Sequence, residues 1–193
     1  TTIAFTYKGD IYTVPSTGGR ASQITTNPAH DTKPIWSPDG KKIAFASDRM
    51  GSMDIFEVNK EGGIPKRLTT HSGNETPVAY KDAGHILFLA NIMPTVEDAQ
   101  FPSGQFQQVY EVNTEGGRPA LFSSMPMEDI SINHTGNTLL YHDKKGYEDP
   151  WRKHHTSSIT RDIWLCSLNG NRTFRKQTTF NGEDRTPVWA SDD

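Results

Sequence analysis

The sequence lacks long apolar runs, an excess of basic residues and, apart from Cys166, cysteine. No disulfide bond can form within the chain, and the apolar residues before Cys166 indicate a small core residue. The longest apolar run, residues 86–90, is far short of the roughly 20 residues of a transmembrane helix. With 20 Lys and Arg against 23 Asp and Glu, there is no basic field for a phosphate backbone, so we expect no nucleic-acid partner.

Catalytic signatures are also missing. The sequence contains no Gly-x-Ser-x-Gly elbow, phosphate loop, Gly-x-Gly-x-x-Gly, His-Glu-x-x-His or Cys-x-x-Cys pattern. We therefore predict no catalytic residue, no metal site and no cofactor in this chain. The first residues lack an initiator Met and a leader sequence and already resemble a strand, so we expect a processed N-terminus.

Internal repeats dominate the 193 residues. The segment 34–45 returns at 77–88 and again at 130–141, and 187–193 resembles its beginning. A second motif, typified by Asp54-Ile55, recurs at 10–14, 54–58, 108–112 and 162–166, each time followed by Gly-Gly or Asn-Gly. A repeat of this length, about 40 to 50 residues, indicates a repetitive architecture.

Each repeat is predicted to form four short strands, because its segments are four to six residues long, rich in β-branched and aromatic residues, and bounded by Gly, Pro, Asn and Asp. Four strands per repeat predict an all-β fold, a β-propeller of four-stranded antiparallel blades. About four blades' worth is present, as part of a larger ring. The expected blades are 1–26 (incomplete), 33–70, 76–122, 128–179 and 186–193 (the start of the next).

The connections differ between the two ends of the blades. Tight turns such as 37–40 are expected at one end, and we interpret their residues as structural. Long insertions at 91–106 and 143–160, with polar blade-to-blade connections, are expected at the other end, where binding usually resides. The predicted peptide or partner site comprises Trp151, Arg152, Lys153, His154, His155, Glu183, Asp184, Arg185, His30, His71 and Glu75.

The repeat resembles that of TolB and the tricorn proteases, through its Pro-x-Trp-Ser-Pro-Asp-Gly pattern and the later Asp-Ile, Gly-Gly and Leu-Thr pairs. Residues 146–164 and 182–188 more specifically resemble the N-terminal propeller of tricorn-like serine peptidases. The resemblance implies a six-bladed propeller, followed in the parent by a PDZ-like module and a serine peptidase domain. The third repeat departs from the pattern, with Ala79 where the tryptophan stands.

The function implied is a non-catalytic module that gates or docks peptide or unfolded polypeptide for a protease domain absent from this chain. Its other partners would be the remaining blades and the PDZ and protease domains of the parent, and a homo-oligomer is compatible with this role. The implied location is periplasmic or secreted, with cytoplasmic as the alternative. Two other functions stay open: a TolB-like interaction scaffold of the cell envelope, and the propeller of a prolyl-oligopeptidase-like enzyme.

Overall fold

The computed structural model describes residues 1–92, 107–146 and 159–190 of the chain. Within these residues every regular element is a strand. No helix in this part of the chain is long and apolar enough to cross a membrane. The strands are β1 Thr2–Tyr7, β2 Asp10–Pro15, β3 Ser22–Gln23, β4 Asp31–Trp36, β5 Lys42–Ser47, β6 Asp54–Asn59, β7 Lys66–Arg67, β8 Glu75–Asp82, β9 His85–Ala90, β10 Gln108–Asn113, β11 Ala120–Ser123, β12 Met127–Ile132, β13 Thr138–Asp143, β14 Ile163–Ser167 and β15 Thr173–Lys176.

The strands form four sheets, each a simple meander of neighbours along the chain. The first sheet has three strands, β1 to β3, and the others have four: β4 to β7, β8 to β11, and β12 to β15. Short, separate meanders of this kind are the blades of a propeller. The predicted fold class is confirmed, and the incomplete first blade has the three strands expected before Asn27.

Two compact units divide the chain: Thr1–Ile92 with Tyr110–Phe122, and Met93–Val109 with Ser123–Asp193. In the first unit, β5 and β9 are buried on both faces, which explains their unbroken apolar runs. A cluster around Ile55, Ile86 and Phe88 joins the second and third blades. Another around Ile11, Ile43 and Phe45 joins the first and second. In the second unit Cys166 is fully buried, as its apolar neighbours predict.

The tight turn between β4 and β5 shows why its sequence recurs. The Gly40 amide donates to the Ser37 carbonyl at 2.9 Å, and Gly40 has a φ of 65°, which glycine adopts without strain. Ser37 Oγ donates to Asp39 and accepts from the amide of Lys42. The turn between β12 and β13 repeats this arrangement with Asn133 as the central acceptor. These residues are therefore structural.

The innermost strands β4, β8 and β12 each contain a register shift. In two of them a residue with a side chain adopts the left-handed region: Lys33 at φ 54° and Asp129 at φ 50°. Thr186, the corresponding residue of the last repeat, has φ 53°. A bulge with one left-handed residue is thus a recurring feature of this position, and it changes the direction of the next side chains along the strand.

Two sequence predictions need correction. Tyr80, not Ala79, takes the place of Trp36: Trp36 pairs with Ile43, and Tyr80 pairs with the corresponding Ile86. The cause is a turn that is one residue shorter in the third blade, which moves the register. The predicted strand at 186–189 is absent from the described residues. There the Trp189 indole donates to the Ser131 carbonyl instead of joining a ladder.

Candidate functional site at the blade junctions

The same arrangement of polar residues recurs where the third strand of a blade begins. Asp10, Asp54 and Asp162 each precede an isoleucine whose amide donates to a threonine hydroxyl. The three N–H to Oγ1 distances are 2.9 Å for Ile11 to Thr25, 2.9 Å for Ile55 to Thr69, and 3.1 Å for Ile163 to Thr178. This contact explains the spacing of the Asp-Ile motif, because the threonine always follows the outermost strand of the same blade.

A long side chain from that outermost strand contacts each of these aspartates. Gln23 donates to Asp10 at 3.0 Å, Arg67 lies 2.7 Å from Asp54, and Lys176 lies 2.8 Å from Asp162. Burial raises the pKa of Asp54 in spite of the nearby Arg67. Burial also acts on Asp162, but hydrogen bonds from Lys145 and Lys176 outweigh it and lower its pKa.

A second acidic residue lies at each of three junctions: Asp31, Glu75 and Asp184. Their amides donate to the carbonyl of the residue just before the aspartate of the motif. The distances are 2.7 Å from Asp31 to Gly9, 2.8 Å from Glu75 to Met53, and 3.0 Å from Asp184 to Arg161. The chain is thus fixed by a backbone hydrogen bond as it passes into the next repeat, and two carboxyl groups are carried to each junction.

Asp31 and Glu75 are both fully buried, but their carboxyl groups have different hydrogen-bond and ion-pair partners. Arg49 Nη2 donates to both oxygens of Asp31 at 2.8 Å. The Arg49 guanidinium also lies 4.6 Å from the centre of the Phe56 ring. Glu75 has no ion pair within the described residues, and only the Thr69 hydroxyl donates to its Oε2. Burial accordingly raises the pKa of Glu75 to about 7.

In the second unit a network of charged side chains joins β12 to the segment 182–186. Glu128 accepts from Lys144 at 2.8 Å and lies 3.2 Å from His142 Nε2. Arg161 connects Glu128 at 3.4 Å with Glu183 at 2.7 Å. Burial opposes ionisation of Glu128, but its hydrogen bonds from Lys144 and His142 prevail and lower its pKa. The Glu128 carboxyl group therefore remains ionised at neutral pH.

The end of this network is partly open to solvent. Arg185 pairs with Glu183, and the Arg185 side chain is 50% exposed. The Thr186 hydroxyl donates to Asp129 at 2.7 Å, and the Thr186 amide donates to His142 Nδ1 at 3.3 Å. Since Nδ1 accepts this hydrogen bond, the proton of a neutral His142 lies on Nε2, facing Glu128. The cluster can offer both charge signs to a polar ligand.

The structure brings together only part of the predicted site. Glu183, Asp184 and Arg185 lie in the second unit, in or beside the charged network. Glu75 and His71 share one junction of the first unit, where His71 Nδ1 accepts from the Gly73 amide. His30 belongs to a different junction, and its amide donates to Asp48. The predicted residues Trp151, Arg152, Lys153, His154 and His155 lie outside the described residues.

Sequence reasoning missed several of the residues that organise these junctions. Asp54, Arg67 and Thr69 were visible as repeat motifs, but nothing in the sequence showed that they converge on Glu75. His142 and Arg161 were not predicted either, because their partner Glu128 is distant in sequence. Within the described ranges there is no group of three or more His, Cys, Asp or Glu side chains that could hold a metal ion.

Comparison with known proteins identifies the family. Residues 1–193 match the family described as the Tricorn protease N-terminal beta propeller domain. The chain belongs to this family. Tricorn protease homolog 1 of Streptomyces coelicolor is 26% identical over 191 residues, which cover 98% of this chain and 17% of that protein. The chain therefore spans about one sixth of the length of this relative.

Two further similarities bear on the choice between tricorn and TolB. The crystal structure of the tricorn protease superposes with a TM-score of 0.70 at 21% identity, covering 97% of this chain and 18% of that one, which shows the fold alone. The Tol-Pal system protein TolB of Bordetella pertussis is 43% identical over 54 residues, or 28% of this chain and 12% of that protein. In sequence, the match to the tricorn homolog covers 98% of this chain, whereas the match to TolB covers 28%.

Proposed function

We propose that this chain is the non-catalytic propeller module of a tricorn-like serine peptidase, and that it gates or docks peptide substrates for a C-terminal protease domain outside this chain. The observation that carries the proposal is the family match along residues 1–193. The relatives matched over nearly the whole chain are named tricorn protease homologs and are about six times longer. The other partners proposed are the remaining blades and the PDZ and protease domains of the parent.

The charged network of the second unit supplies a surface suited to this role. Lys144, Arg161 and Arg185 are held beside Glu128 and Glu183, so a polypeptide backbone or a terminal charge would find both donors and acceptors. Of these pairs, the one between the half-exposed Arg185 and Glu183 adds little stability of its own. The mechanism proposed is steric: an extended peptide engages the polar loops, whereas a folded protein is too bulky to do so.

The insertion that carries Trp151, Arg152 and Lys153 is proposed as the main peptide contact. An aromatic ring beside two cations can hold a carboxylate or an acidic side chain. The test is the triple variant Trp151→Ala, Arg152→Ala, Lys153→Ala in the intact parent protein, with Lys60→Ala, Glu61→Ala as the control, because these two residues form an exposed pair in the turn after β6.

We expect the triple variant to raise KM for extended peptides about tenfold or more, since a binding contact worth roughly 1.4 kcal/mol is lost. The control variant should leave KM unchanged. A triple variant that folds and cleaves peptides with the parent's KM and kcat would show that this insertion does not contact the substrate.

A TolB-like interaction scaffold of the cell envelope is the second candidate, and the 43% identity to TolB over 54 residues favours it. The two candidates differ in the domains expected after the propeller, since a scaffold needs no peptidase domain. They also differ in location. A periplasmic or secreted location remains our prediction for the parent, with the cytoplasm as the alternative, and cell fractionation of the parent tests it.

A further inference from the structure

Glu75 is the first residue of β8, the innermost strand of the third blade, and none of its surface is exposed. Its amide donates to the Met53 carbonyl in the second blade. Its side chain reaches the same blade, because the Thr69 hydroxyl donates to Oε2. Glu75 therefore connects the second and third blades of the first unit through both its backbone and its carboxyl group.

The second oxygen of this carboxyl group, Oε1, is buried, and among the described residues no group donates a hydrogen bond to it. A buried carboxylate oxygen without a donor is unfavourable, since water no longer solvates its charge. A proton on the carboxyl group removes that charge, so the observed environment favours the neutral acid over the ion.

The charges around Glu75 favour the neutral acid as well. Asp54 on β6 is fully buried and repels a charge on Glu75. The Arg67 guanidinium on β7 attracts both carboxylates, but it forms its ion pair with Asp54. Within the described residues, the other titratable group beside this pair is His71, whose side chain acts electrostatically on Asp54. Two buried carboxyl groups thus share one guanidinium.

At the other junctions, additional cations neutralise the buried carboxylates. Asp31, which has the same position at the start of β4, forms two hydrogen bonds with Arg49. Asp162, the counterpart of Asp54 in the last blade, is contacted by Lys145 and Lys176. Within the part of the chain that the structure describes, the junction of the second and third blades has no cation to spare for Glu75.

We propose that Glu75 carries a proton in the folded chain and acts as a pH-sensitive latch between the second and third blades. With the proton in place, the start of β8 stays on the second blade. Loss of the proton puts an unpaired charge beside Asp54 and weakens the attachment of the connection at residues 70–74. Asn74 belongs to the same attachment, since its side chain accepts from the Met53 amide.

The direction of the pH effect is set by the folded and unfolded pKa values. Burial raises the pKa of Glu75 from 4.5 to about 7 in the folded chain. Between these values the folded state binds more protons than the unfolded state, so stability falls as pH rises. The contribution is complete below pH 4.5 and is lost as the pH increases through 7. Mildly acidic conditions close the latch, and alkaline conditions release it.

The first test monitors the Glu75 carboxyl carbon by NMR in the folded chain from about pH 4 to 9. We expect a titration midpoint for Glu75 near 7. A midpoint for Glu75 at or below about 5.5 would overturn the proposal. This measurement needs no substitution and does not depend on whether a variant folds.

The second test compares the unfolding equilibrium of the unaltered chain, Glu75→Gln and the control Glu61→Gln between about pH 5 and 8. We expect the unfolding constant of the unaltered chain and of Glu61→Gln to rise about 100-fold more over this range than that of Glu75→Gln, which cannot lose a proton. Equal pH dependence in all three proteins contradicts the latch. If Glu75→Gln fails to fold, the NMR midpoint decides.

Discussion

Individual residues in left-handed conformations mark the innermost strands β4 and β12 and the corresponding position of the last repeat. Lys33, Asp129 and Thr186 occupy corresponding positions and all have φ values between 50° and 54°. For residues with a Cβ atom, this region costs roughly 1 to 2 kcal/mol. Asp129 and Thr186 hydrogen-bond each other, which offsets part of the cost, whereas Lys33 is exposed. The bulge is therefore maintained by the sheet around it and not by the preference of the residue itself.

Replacing Lys33 with glycine should remove the energetic cost of the left-handed conformation at this position. We expect Lys33→Gly to be more stable than Lys33→Ala by about 1 kcal/mol, because glycine reaches positive φ without a steric penalty. Denaturant unfolding of the two variants gives the difference. At an ordinary strand position the alanine variant is the more stable of the two. If Lys33→Ala proves more stable than Lys33→Gly, residue 33 is not left-handed in solution.

Residue-level prediction from sequence succeeded where the chemistry is local. Ser37, Asp39 and Gly40 specify their turn with contacts between near neighbours in the chain, and the repeat shows that they recur. Glu75 was predicted as a binding residue in a polar loop, yet it is buried, because its environment is created by Asp54 and Arg67 from two other strands. Burial of a charged residue could not be seen in a segment rich in polar neighbours.

At the level of elements, each junction combines one backbone hydrogen bond with at least one buried acid. The Asp31 junction is the best neutralised, since Arg49 binds both carboxylate oxygens and packs over Phe45 and Phe56. Removal of one member of a buried pair leaves the other charge without a partner and typically costs about 3 to 5 kcal/mol. This junction therefore depends on Arg49 to hold the start of β4.

Arg49→Met should destabilise the chain by about 3 kcal/mol or more, because it leaves the Asp31 carboxylate buried and unpaired. Adding Asp31→Asn to the same chain should recover much of the loss, since the remaining charge is removed. Thermal or denaturant unfolding of the single and double variants measures both effects. A loss below about 0.5 kcal/mol for Arg49→Met would place Asp31 in contact with water instead.

The strand pattern was predicted well, but the register was not. Four-strand meanders are expected from short apolar segments separated by turn residues, and the structure confirms them. Tyr80 takes the place expected for Ala79 because the turn after β8 is one residue shorter than the turn after β4. A difference of one residue in a turn leaves the motif spacing nearly unchanged, so the sequence alone cannot reveal it.

On the scale of the whole molecule, the family is shown by a match along all 193 residues, while the proposed function is drawn from relatives about six times longer. The residues proposed as the main peptide contact lie in the insertion at 143–160, whose central part is outside the described residues. The described part contributes scaffold, charged junctions and a buried acid. The proposed role as a gate or dock therefore depends on the domains that we expect in the parent protein.

The most direct test is to determine the sequence of the parent gene downstream of the codon for Asp193. We predict further propeller blades, then a PDZ-like module and a serine peptidase domain. A coding region that ends after further blades, with no peptidase domain, would contradict the proposed function and favour the TolB-like scaffold.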